Sequence, residues 1–149
     1  MEIKNYDKLV KKLNTIQKNE ALEKGITKAC LLVERSAKEN LTGKSDTGNL
    51  KASITHEVIE ENNDVVGIVG TNKFYAPFVE FGTGIFAFYN NGRTDVPWCY
   101  YDDEKNMFVR TSGQQPTLFL TNAYNTNVSK CKAIITKELH MKLGEICDD

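Results

Sequence analysis

Helical periodicity fills both ends of this chain and is missing from its middle. That asymmetry restricts the fold to long helices packed on a small sheet. From Thr117 onward, Val128, Cys131, Ile135, Leu139, Leu143 and Ile146 recur at helical spacing and give a terminal helix one apolar face. Residues 4–41 read as helix too, in two pieces. Leu9, Leu13 and Ile16 share one face, and Leu22, Ile26, Ala29, Val33 and Ala37 form a second stripe out of phase with the first. A break at Asn19 explains the slip. Asn19 caps a new helix with Glu20 and Glu23 in its first turn, where the helix dipole favours acid, and Lys11, Lys12 and Lys18 close the preceding segment. The pattern predicts a short helix and then one of about 20 residues, about 30 Å long. Such a helix reaches across a sheet or along a neighbouring subunit.

The middle alternates instead. Leu41–Asn49 is rich in turn formers, and Asp46, Thr47 and Gly48 make a structural turn into the next strand. Ala52–Glu60 places Ile54 and Val58 on one face and Thr55 and Glu57 on the other, a half-buried strand. Glu61–Asp64 is its hairpin turn and Val65–Thr71 the return strand, in which Gly67 and Gly70 leave room for close packing. A second hairpin joins Trp98–Asp102 to Met107–Thr111 through Asp103–Asn106, and Gly113–Pro116 ends it. The expected fold is α+β, a single domain over residues 1–149. A long N-terminal helix and a C-terminal helix pack on a small antiparallel sheet built from two β-hairpins, with a long loop.

Between the hairpins lies Tyr75–Gly84, which sets Tyr75, Phe78, Val79 and Phe81 around one acid, Glu80. Pro77 argues against a central strand and fits the first turn of a short helix. Glu80 then stands either on the solvent face of that turn or paired across an interface. Gly82, Thr83 and Gly84 form a hinge into Ile85–Pro97, a stretch without period that carries Phe86, Phe88 and Tyr89 beside the turn former Asn90-Asn91-Gly92. A connection this long is a mobile or interface loop, a partner surface or a tip folded back on its own core. The candidate interface is therefore Tyr75, Phe78, Glu80, Phe81, Gly82, Thr83, Phe86, Phe88 and Tyr89.

Catalytic signals are weak. His56-Glu57 would need a second histidine where Glu60 stands, and Gly43-Lys44-Ser45 would need a glycine where Lys38 stands. Gly82–Ala87 matches a dinucleotide fingerprint on paper, but Asn90, Asn91 and Gly92 stop the helix that it requires. Cys30, Cys99, Cys131 and Cys147 share no metal-like spacing and read as buried thiols. A nucleophile pair of Cys99 with His56 or His140 has no local signature. The sequons at Asn40 and Asn127 are sequons by pattern alone. No catalytic residue, metal or cofactor is expected. A net charge of −1 and a pI near 6.1 supply no field to draw in nucleic acid or an anionic membrane. No apolar run approaches the ~20 residues of a membrane span. The N-terminus has no apolar signal region, so the expected site of synthesis is a cytoplasm.

Taken in order, DTGNLKASI (Asp46–Ile54), VGTNKFYAPFVEFGTG (Val69–Gly84) and GQQPTLFLTNA (Gly113–Ala123) follow a long helix. This arrangement resembles the phage tail-component family of head–tail joining proteins, the neck or tail-completion proteins of long-tailed bacteriophages. Asp46, Thr47, Gly48, Leu50, Tyr75, Glu80, Phe81, Gly82 and Thr83 fall on its motif positions. Thr117-Leu118-Phe119 departs from the family's usual Pro-Phe, and Ile85–Pro97 is a variable insertion. The resemblance implies a non-enzymatic subunit of a homo-oligomeric ring, a hexamer, set between a head-connector or head-closure protein and a tail-terminator or tail-tube protein. DNA would pass through its lumen without specific binding. The expected location is the virion's head–tail junction, reached from the host cytoplasm, with no membrane involved. Two other readings stand beside it: a nucleic-acid-binding module, and a collar subunit of a headless phage-derived particle. On the ring reading, Glu80→Ala or deletion of Ile85–Val96 impairs assembly and leaves the monomer folded.

Overall fold

The acidic start at Glu20 and Glu23 is where the first long helix begins. The computed structural model describes residues 10, 20–43, 48–62, 64–103 and 105–148. Its elements are α1 (Glu20–Asn40), α2 (Asn49–Ser53), β1 (Thr55–Glu61), β2 (Asp64–Gly70), α3 (Ala76–Phe81), a 3-10 turn (Gly84–Phe86), β3 (Trp98–Asp102), β4 (Met107–Thr111) and α4 (Phe119–Asp148). The short helix expected before Asn19, the cap at Asn19 and the turn residues Asp46 and Thr47 lie outside the described residues. The fold is α+β, with long N- and C-terminal helices packed together and two antiparallel hairpins. The hairpins were expected to build one small sheet. They form two separate two-stranded sheets, because β1 pairs with β2 and β3 with β4. No described helix is long and apolar enough to cross a membrane.

Packing sorts the chain into two units. One takes α1 as far as Ser36, Thr55–Gly70 and α4 from Tyr124 onward. Here Gly25 lets the helices approach, since a Cβ at that position would sit 3.1 Å from the Ile135 backbone. Ala29 and Val33 of the predicted stripe are buried, and so is Cys30 beside them. Cys131 donates its thiol to the Ala29 carbonyl at 3.7 Å. The hairpin register pairs His56 with Val69 and Val58 with Gly67, so these four share one face. That face lies on α1, because a Cβ at Gly67 would overlap Cys30 Sγ and Ile26, and His56 Nδ1 meets Glu34 Oε2 at 2.5 Å. The turn follows the predicted chemistry. Glu61 pairs with Asp64, and Asn62 takes a left-handed φ of 52°, as a two-residue hairpin loop demands.

The other unit takes Ala37–Ile54 and Thr71–Ala123. Its core is Ala37, Leu41, Leu50, Ile54, Ala76, Phe119 and Ala123. The strand expected from Ala52 is a correction: Asn49–Ser53 is helical and the strand starts at Thr55. Gly48, at φ 71°, turns the chain so that its carbonyl accepts the Ala52 N–H at 2.9 Å. One helical turn then carries Leu50 inward, and Ile54 follows it. The apolar spacing of Leu50 and Ile54 suits that turn as well as it suits a strand. Asn40, the residue of one sequon, donates to the Phe119 carbonyl at 3.0 Å. In the second hairpin Asp102 pairs with Met107, and Asn106 supplies the left-handed residue.

Close approach at Gly67 makes a specific expectation. Gly67→Val drives two methyl groups into α1 and lowers unfolding stability by about 1–3 kcal/mol. Gly70→Val, on the same strand with nothing within 4 Å of its added Cβ, leaves stability nearly unchanged. Chemical denaturation of the two variants makes the comparison, and equal stabilities contradict the packing.

Candidate assembly interface

Glu80 is neither in solvent nor at a free face. Its residue is 4% exposed, and both carboxylate oxygens are engaged within the chain. The Leu120 N–H donates to Oε2 at 3.0 Å, the Thr121 N–H to Oε1 at 2.9 Å, and the Thr121 hydroxyl to Oε1 at 2.6 Å. These are the first-turn donors of α4, which have no partner inside the helix. Local sequence explains why help must come from afar. Leu118 accepts the Asn122 N–H at 2.8 Å and so holds the cap position, where its side chain offers no acceptor. It also takes φ 50°, a conformation that costs a branched side chain about 1–2 kcal/mol. Two backbone bonds hold it there, Thr117 N–H to the Val79 carbonyl and Leu118 N–H to the Glu80 carbonyl, each 3.0 Å. The Thr117 hydroxyl reaches the Val79 carbonyl as well, at 2.9 Å. This corrects both placements expected for Glu80. It is a remote helix cap, found only by knowing that residues 80 and 120 meet.

The hinge is a brace. Thr83 N–H donates to the Gln114 carbonyl and Gln114 N–H to the Thr83 hydroxyl, both at 2.9 Å, and Ile85 N–H donates to the Ser112 carbonyl at 3.2 Å. Gly82 and Gly84 have left-handed φ of 72° and 60°, and a Cβ on either would run into the backbone between Ser112 and Pro116. Residues 86–111 are thus an excursion pinned at both ends. Within it the loop folds back on α3: Phe88 N–H donates to the Phe81 carbonyl at 2.8 Å, and the Phe81 and Tyr89 rings lie 5.3 Å apart.

The nine candidate residues therefore divide. Glu80 is buried; Tyr75, Phe81, Gly82, Thr83 and Phe86 are half-buried; Phe78, Phe88 and Tyr89 are exposed, Tyr89 at 63%. Phe74, 85% exposed and edge-on to Tyr75, belongs with them and escaped the sequence reading because no periodic pattern marks it. Asp46 and Thr47 lie outside the described residues, and Gly48 makes the turn assigned to it.

The groups with chemical potential are dispersed. His56 is paired with Glu34, and Asn127, the other sequon residue, is buried. Cys99 is exposed, which corrects its reading as a buried thiol; it points outward from a strand that needs no core residue there. Burial pushes the thiols of Cys30 and Cys131 up from their ordinary range, and each is disfavoured as a nucleophile. Among the described residues no three metal-ligating side chains cluster. Glu138 is buried in the helix pair, with Lys28 at 2.5 Å and Lys24 at 3.8 Å. The Lys28 hydrogen bond, against the opposing effect of burial, holds its carboxyl below the usual carboxylate range, with the charges of Lys28, Lys24 and Lys137 acting the same way.

The described residues thus form a scaffold braced by Glu80 and Thr83 that leaves aromatic side chains exposed on and after α3. The sequence profile of the HK97-gp10-like family, described as "Bacteriophage HK97-gp10, putative tail-component", matches residues 3–82. That is more than half of the chain, and the protein belongs to this phage tail-component family. No curated protein and no solved structure matches it.

Two carboxylates give measurable expectations. Glu80→Ala leaves two helix N–H groups and a hydroxyl without their acceptor and destabilises the monomer by about 2–4 kcal/mol, since each lost partner costs about 1–3 kcal/mol before water repairs some of the loss. Glu80→Gln recovers only part, because its amide turns a donor toward donors. Thermal melts of the isolated variants decide this, and an unshifted Glu80→Ala refutes the cap. For Glu138 the depressed pKa sets the sign. Its stabilisation is present above the ordinary carboxylate titration range and is lost as pH falls through the depressed value. Glu138→Gln is thus less stable than wild type at neutral pH, and the gap closes in acid. A gap independent of pH contradicts the ion pair.

Proposed function

We propose that the protein is a structural virion subunit that assembles into a homo-oligomeric ring, a hexamer, at the head–tail junction. There it joins a head-connector or head-closure protein to a tail-terminator or tail-tube protein and leaves a channel for DNA. Family membership supplies the virion context. The observation that carries the reading further is the exposure of Phe78, Phe88 and Tyr89 around a framework fixed by the Glu80 cap and the hinge brace. An exposed cluster of large apolar side chains on a rigid support is suited to docking, since little ordering entropy remains to be lost on binding. Nothing in this arrangement calls for chemistry, and the role is assembly. The net charge of −1 suits a conduit through which DNA must pass without being gripped.

Deleting the gene from the phage or prophage that encodes it tests the proposal by electron microscopy of lysates. Separate DNA-filled heads and finished-length tails are expected, and a Phe88→Ser, Tyr89→Ser variant that still folds fails to restore joined particles. Joined particles in the deletion exclude a required joining role.

A further inference from the structure

Each hairpin carries a face of exposed apolar side chains, and two of these faces are complementary. On β3–β4 the register sets Cys99 opposite Arg110 and Tyr101 opposite Phe108, so these four share a face. All four are exposed, Tyr101 at 46% and Phe108 at 73%, and the two rings stack edge-on at 5.2 Å. Arg110 is the only charged side chain of the four. On β1–β2 the face turned away from His56 and Gly67 pairs Glu57 with Ile68, Ile59 with Val66 and Glu61 with Asp64. Val66 and Ile68 are exposed there, Ile59 is half-buried, and every charge is a carboxylate. One surface is thus an aromatic pair beside a cation, and the other an aliphatic strip rimmed by acids.

We infer that these faces meet between successive copies of the chain, the Tyr101–Phe108 face of one subunit on the Ile59–Val66–Ile68 face of the next. The inference rests on the ring reading above and names its subunit contact. Spacing supports the match. Arg110 stands two positions from Phe108, about 7 Å along the strand, and Glu57 and Glu61 each stand two positions from Ile59. With the aromatic pair seated over Ile59 and Val66, the guanidinium falls beside a carboxylate whichever way the hairpins run. Two different patches on one chain make a heterologous contact, the kind that closes rings. Desolvation beside the rings strengthens the ion pair.

Complementation of the gene deletion tests the contact by charge reversal. Arg110→Glu is expected to cut the yield of joined particles at least about tenfold, and Glu57→Lys with Glu61→Lys likewise, whereas the three together restore it. Circular dichroism of the purified variants confirms that they fold. Reversals that leave the yield unchanged, or folded variants whose combination does not recover, overturn the pairing. Cys99 gives an independent readout on the unaltered protein. Its thiol is expected to react with a maleimide in the isolated subunit and to be protected in purified particles; equal labelling in both overturns the contact. Protection of Cys99 without rescue by the combined reversal overturns it too and assigns that face to another virion protein. Copy number in wild-type particles separates the two ideas. A single copy defeats the ring itself, and several copies with a reactive Cys99 defeat only this contact.

Discussion

The carboxylate of Glu80 at the start of α4 is the interaction on which its unit depends. Helix α4 begins without a capping side chain of its own, beside Phe119, which is fully buried. Its first N–H groups would otherwise face the interior unpaired. Glu80 meets them with a full charge, and burial of that charge is offset by three donors and by the favourable end of the helix dipole. Neither partner could be buried alone. The same requirement accounts for the residues around it. Ala76 is small because α3 is pressed inward there, Pro77 begins a helix too short to nucleate unaided, and the Val79 and Glu80 carbonyls hold Thr117 and Leu118 in the one conformation that aims α4 at the carboxylate. Among the described residues no buried side-chain nitrogen or oxygen lacks a partner.

What the sequence disclosed follows from how local the information is. The stripe Ala29, Val33 and Ala37 and the turn residues Asn62 and Asn106 act on their own neighbours, and the helix and both hairpins came out within a residue or two of their expected places except the first strand, which starts three residues later than expected. Leu50 and Ile54 show where local pattern becomes ambiguous: four residues apart, they fit a strand or a helical turn, and Gly48 decides between them through a backbone angle that no periodicity reports. Glu80 shows the opposite failure. It was singled out as one acid among apolar residues, and its motif position was recognised, but its donors lie 40 and 41 residues away and carry no signature, since two of the three are backbone N–H groups. Cys99 was misread because strand alternation places it without saying which face is covered.

Exposure in this chain is concentrated in kind. Most of the large apolar side chains left in solvent sit on the loop after α3 and on both hairpins, with others on α1, α3 and α4, whereas the buried carboxylates Glu80 and Glu138 serve a helix start and a helix pair. The charges that are buried fix helices, and the large side chains of the loop and hairpins stay outside that framework.

The family match ends at Gly82. The matched portion contains Glu80 but not Leu120 and Thr121, which give the carboxylate its purpose. Between donor and acceptor lies the excursion 86–111, closed at its base by the bonds from Thr83 and Ile85 to Gln114 and Ser112. With its ends tied together, the excursion can change in length and sequence without loosening the cap. Glycines at positions 82 and 84 keep that tie tight, because any side chain there would push the two segments apart. The loop and the second hairpin, which carry Phe88, Tyr89, Tyr101 and Phe108, are thereby set apart from the residues that hold α3 to α4. A fold built this way can alter its exposed surface at little cost to the residues that hold α3 to α4.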